Sequence, residues 1–163
     1  MQAEISITFS GQQRSAGEAI QHVMLARRKL DDGEQALIEL GDAALALDAQ
    51  CALVGPEPSV GFLNEACSNL AHHFEIALQS PILPEIDKML FLFCQRVSVG
   101  ALEEAKAVLI RAAWFIASDG RPMTDLDWTA LDELAPGATC SIAQKLAIVA
   151  TRARMTTKGV ALF

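Results

Sequence analysis

Tyrosine is absent from this chain, tryptophan occurs twice and phenylalanine seven times. An antibody-like wet contact surface is therefore disfavoured, whereas an apolar groove is not. Cysteine is sparse and scattered: Cys51, Cys67, Cys94 and Cys140 are 16, 27 and 46 positions apart, with no C-x-x-C. Zinc-ribbon spacing is excluded, and the thiols read as reduced, small core hydrophobes. Long apolar runs are also missing. The longest, Met89 to Cys94 (MLFLFC), is far short of the ~20 residues a membrane span needs. The opening MQAEISITFSGQQRSAG carries Glu4 and no apolar h-region, so it does not read as a signal peptide, and the expected compartment is the cytoplasm.

Motifs of chemistry are lacking too. There is no G-x-S-x-G, no glycine-rich phosphate loop and no G-x-G-x-x-G. Asp125-Leu-Asp127 after Asp119-Gly120 invites a calcium loop, but Thr129 stands where a ligand is needed and no Gly or Glu follows in register. The expectation is a chain that is not an enzyme and takes no cofactor.

What is present is apolar and acidic. Hydrophobic residues make up 52% of the 163, much of it alanine, as closely packed helices require. The formal charge is −7, and all 20 acids lie in residues 1–136. Residues 137–163 carry Lys145, Arg152, Arg154 and Lys158 with no acid. The bulk field repels nucleic acid and anionic membrane, and bases near a helix C-terminus complement its dipole. Neither polyanion is expected as a partner.

Periodicity predicts an all-α fold of about six helices in one bundle-like domain (residues 15–158), preceded by an extended segment (1–14) and followed by a short tail (159–163). Residues 4–9, EISITF, alternate with period two and predict a short strand with Ile5 and Ile7 on one face. Ser15-Ala-Gly-Glu18 reads as a capping box. From there Val23, Leu30, Leu37, Ala44 and Cys51 share one heptad register, while Ala26, Gly33, Leu40 and Leu47 share the other. The unbroken seam favours one long helix over 16–50, spanning roughly 52 Å. That exceeds a compact chain with a radius of gyration near ~15 Å and so favours a homodimer through this helix. The competing arrangement breaks at Asp31-Asp32-Gly33 into an antiparallel pair. Further helices are predicted from Ser59 to about Gln79, after Pro84 to about Val97, from Ala101 to Ser118, after a Thr124 cap, and from Ser141 onward.

Two groups of residues are candidates for function. His72 and His73 are neighbours, but with Leu70 at the centre of the core stripe, 100° per residue sends His72 about 160° away, toward water, and His73 about 60°, to the edge of the core. They cannot share a metal. The pairs at helical spacing are His72 with Glu75 and His73 with Asn69, with His22 on the first helix as a residue the fold could bring near, and a catalytic zinc wants three protein ligands. Residues 118–131, SDGRPMTDLDWTAL, resemble the acidic turn of tellurite-resistance-type helical modules over fourteen residues, too short a stretch to imply an activity. The second group is aromatic. If Ile86, Leu90, Phe93 and Val97 fill one core stripe, Phe91 projects away from it. If Leu102, Leu109, Ala113 and Ile116 fill the next, Trp114 and Phe115 lie outside it near Arg111. Outward aromatics beside arginine suit interface anchors, although a helix buried from two sides would absorb the same residues.

The function expected from these features is a non-enzymatic, protein-binding helical domain, a small acidic chaperone or adaptor of bacterial type. Its contacts would be Phe91, Trp114, Phe115, Arg111, Ile5 and Ile7. The rivals are an acidic inhibitor or immunity protein facing a basic toxin through DDGEQALIEL (31–40), and a histidine-centred metal protein.

Overall fold

The computed structural model describes residues 14–54, 65–134 and 141–157. Among them are seven helices and no strand: α1 Arg14–Arg28, α2 Gly33–Val54, α3 Glu65–Leu78, α4 Glu85–Ser98, α5 Leu102–Ala117, α6 Asp125–Leu134 and α7 Ile142–Thr157. The strand expected at 4–9, with Ile5 and Ile7, lies outside the described residues.

The continuous helix expected over 16–50 is instead two helices, α1 and α2, and this corrects both its length and the helix count. The chain turns at residues 29–32, where the Lys29 amide donates to the Ala26 carbonyl at 3.0 Å and the Asp32 amide to the Lys29 carbonyl at 2.9 Å. The Asp32 carboxylate then accepts from the Gln35 amide at 3.3 Å, capping α2. The heptad seam survives the break because an antiparallel hairpin buries the same stripe that a dimer would. Val23, Ala26, Leu40, Ala44 and Leu47 are all buried within this one chain. Neither helix overhangs the domain, so no long helix is left over for a second chain to cover.

Small residues along the seam (Ala16, Ala19 and Ala26 on α1; Ala36, Ala43 and Ala44 on α2) are fully buried and let the two helices approach closely. The far end of the hairpin is locked by Gln50. Its buried side-chain oxygen accepts from the Ala16 amide at 2.9 Å, satisfying a donor that a helix N-terminus leaves open.

A second hairpin follows. Gly100, at φ 77°, turns the chain between α4 and α5, and this left-handed conformation is readily adopted only by glycine. Arg96 and Glu104 pair across the turn at 2.7 Å. The two hairpins pack together through α1 on α4 and α2 on α5. Between them lie Ile20, Leu40, Leu47, Leu90, Phe93, Leu102 and Leu109, all inaccessible to solvent or nearly so. Each such side chain contributes about 1.5–3 kcal/mol of burial free energy. Helix α3 lies against α4, and α7 packs on α2 and α5. Helix α6 starts with a reciprocal cap: the Thr124 amide donates to the Asp127 carboxylate at 2.9 Å and the Asp127 amide to the Thr124 hydroxyl at 3.2 Å. Among the described residues, no helix is long and apolar enough to cross a membrane.

Candidate functional site

The aromatic groove expected between α4 and α5 is not a surface. Trp114 is fully buried, which corrects its placement outside the core. Helix α5 is covered by α4 on one side and by α2 and α7 on others, so Ala105, Val108, Ile110 and Ala112 are buried together with Leu102, Leu109 and Ala113 of its predicted stripe. The Arg121 guanidinium lies 4.9 Å from the Trp114 ring centroid. Phe91 is half-buried rather than projecting. Phe74 lies 5.8 Å away on one side, and the Arg27 guanidinium lies 4.6 Å from its centroid. Arg27 is held in turn by Asp87 at 3.3 Å. Phe115 is half-buried and Arg111 exposed, with the Arg111 guanidinium 5.5 Å from the Trp128 centroid. These four residues are not brought together on an open face.

His72 and His73 are both exposed, and Glu75 beside them is exposed too. The expectation that His73 edges the core is corrected, because Phe74 occupies that position and His73 only sets its ring edge-on to it at 5.7 Å. Of the thiols, Cys67 and Cys94 are buried and Cys51 half-buried, while Cys140 lies outside the described residues. Burial raises the Cys51 pKa, and nearby Lys106 opposes this without reversing it. The depressed pKa that activates a nucleophilic cysteine is therefore not found at Cys51.

Many charges counted as free in the sequence are engaged within the fold. Glu34 meets Arg154 at 2.9 Å, Glu39 meets Lys29 at 3.4 Å and Asp127 meets Arg152 at 3.9 Å. Asp32 caps α2. The acidic face expected over 31–40 and the basic character of the C-terminal helix are thus partly spent on each other.

The open surface lies on the first hairpin. On α2, Ile38 is 55% and Leu45 58% exposed, and Leu25 on α1 is 36% exposed. Ile38 and Leu45 are seven residues apart, so they fall on the same side of the helix two turns from one another. Gly41 lies between them, and a Cβ built there would meet nothing within 4 Å. The result is an apolar strip with an open notch at its centre. Helix α2 carries Glu34, Glu39, Asp42 and Asp48 and no base, but Glu34 and Glu39 are paired with Arg154 and Lys29, and Asp48 accepts from the first amides of α7. Beside the strip, the hairpin brings His22 of α1 against Glu39 and Asp42 of α2, with donor atoms within 4.8 Å of one another. This is where a metal could be held, rather than at His72.

The sequence does carry a signal for the strip. Leu37, Leu40, Ala44 and Leu47 already satisfy the seam, leaving Ile38 and Leu45 as apolar surplus. Family models, curated proteins and solved structures contain no match to this chain.

Proposed function

We propose that this chain is a non-enzymatic, protein-binding helical domain, a small acidic chaperone or adaptor, whose binding surface is the outer face of the α1–α2 hairpin rather than the α4–α5 region. The observation that carries the reading is the exposure of Ile38 and Leu45 on one side of α2. Single exposed apolar residues are ordinary, but large ones aligned along one helix mark a contact surface. The occupant that fits is an amphipathic helix of another protein. Its apolar side would lie along Ile38, Gly41 and Leu45.

A photo-crosslinking side chain in place of Ile38 tests the contact directly. The expected product joins that position to an amphipathic helical segment of a different protein. Ile38→Asp and Leu45→Asp should each abolish it with helical content unchanged, while Ile82→Asp, at a site 88% exposed elsewhere, should leave it intact. A product that survives both hairpin substitutions sinks the reading. Crosslinking to a second copy of the chain would make the surface a homodimer face instead. Complete loss of the contact in about 0.5 M salt would favour an electrostatic inhibitor over an apolar dock.

A further inference from the structure

We infer that His22, Glu39 and Asp42 form a binding site for one divalent transition-metal ion, zinc being the ion their chemistry suits best. Glu39 and Asp42 are three residues apart, one turn along α2, and His22 faces them from the antiparallel α1. One nitrogen and two carboxylate donors therefore converge from two helices, with all three donor atoms within 4.8 Å of one another.

Two features distinguish this cluster from solvated surface charges. The Glu39 side chain is nine-tenths buried, unlike an ordinary acid on a helix face. His22 Nδ1 is also buried and makes no hydrogen bond, although Glu39 Oε1 is only 3.6 Å away. That separation is too long for a hydrogen bond but close to what metal coordination needs. Zinc bonds of ~2.0–2.1 Å in tetrahedral geometry place neighbouring ligand atoms about 3.4 Å apart. A metal ion between the two would satisfy both at once.

The surroundings are suited to holding the carboxylate in place. Lys29 Nζ lies 3.4 Å from Glu39 Oε2, which leaves Oε1 turned toward His22. An outer partner on the second oxygen is the usual device for orienting a metal-binding carboxylate. The backbones beneath are fixed by the alanine-lined seam and by the Gln50 bond to Ala16. Imidazole with two carboxylates suits zinc over calcium, which takes six to eight oxygens. Three protein ligands leave a fourth position for water. The site is independent of the apolar strip beside it, and either could be correct without the other.

Calorimetric titration of zinc into tag-free, chelator-stripped protein tests the inference. The expected result is saturable binding of one ion per chain with micromolar or tighter affinity. His22→Ala and Asp42→Asn should each weaken it at least about tenfold, on the scale of losing even an outer-shell partner, with circular dichroism unchanged. His72→Ala should bind as the parent does. Asp42 is only half-buried, so its substitution keeps the test open should changes at the buried Glu39 unfold the chain. Cobalt(II) in place of zinc should give d–d bands without thiolate charge transfer. Absence of saturable binding, binding unmoved by His22→Ala and Asp42→Asn, or a thiolate band would each overturn the site.

Discussion

Burial drives the Cys94 thiol well above its ordinary pKa of 9.0, and no charged neighbour offsets it. A group whose pKa is raised by folding holds its proton longer in the native state. Its stabilising contribution is complete below pH 9.0 and declines as the pH rises beyond that value, because the unfolded chain then ionises and the folded chain does not. Each pH unit above 9 should remove about 1.4 kcal/mol of stability through this one group. Urea denaturation midpoints from pH 8 to 10.5 measure that slope. Cys94→Ala lowers the whole curve through lost packing, but it should also flatten the curve above pH 9, and an unchanged slope would show that Cys94 is not responsible. The same scale explains what single residues conceal in a sequence. Trp114 lies outside the apolar stripe of its own helix, yet it is fully buried, because α5 has neighbours on several sides and one helix wheel records only one of them. His22, Glu39 and Asp42 were equally hidden. Nothing in their spacing along one helix joins them until the turn at 29–32 folds α1 back on α2. The one local hint is that His22 precedes that turn by as many residues as Glu39 follows it.

At the scale of elements, the legible boundaries were those written in local chemistry. Pro84 precedes α4, Gly100 turns α4 into α5, and Asp119 and Gly120 stop α5 with φ of 59° and 95°. Thr124 and Ser141 cap the last two helices. The break at 29–32 was obscured because a heptad seam describes an intramolecular hairpin and a dimer equally well. Helix α7 shows a long-range cap that no local motif announces. The Asp48 carboxylate, from α2, accepts from the Ile142 amide at 3.0 Å and the Ala143 amide at 3.2 Å, and the Ser141 hydroxyl accepts from the Gln144 amide at 3.2 Å. With the Ser141 amide donating to the Gln144 side-chain oxygen at 3.0 Å, all four open donors of that N-terminus are satisfied, two of them by a charge that also complements the helix dipole. Asp48→Ala should cost about 1–2 kcal/mol, read from chemical denaturation, with faster amide exchange confined to the first turn of α7. A loss no larger than that of Ser141→Ala would mean that the long-range cap adds nothing to the local one.

At the scale of the whole molecule, the helices are not equally secured. Among the described residues, α2 packs on α1, α5 and α7, and α5 on α2, α4 and α7. Among the described helices, α3 packs on α4, and α6 packs on α7 with the Arg111 guanidinium of α5 over its Trp128 ring. Opening α6 exposes Ala130 and Leu131 and breaks the Asp127 contacts to Arg121 and Arg152, each at 3.9 Å. Opening α5 exposes Trp114 together with much of the shared core. Segments with few buried partners open at lower free energy than the global transition. Native-state hydrogen exchange should therefore rank α2 and α5 slowest, with exchange free energies equal to that of global unfolding. Amides of α6 should exchange at least about tenfold faster, a gap of about 1.4 kcal/mol. Helix α3 should fall between, because Phe74 is fully buried against the α4 side chain of Phe91. Phe74→Ala removes that anchor and should move α3 to the fast class without changing the order of α2 and α5. Protection of α6 equal to that of α5 would show that the bundle opens as a single unit. On this order the hairpin α1–α2 should lie at the stable end, so its exposed strip and its His22–Glu39–Asp42 cluster would be presented on rigid backbone, where the proposed partner helix or metal ion would meet a preformed geometry rather than one it must organise.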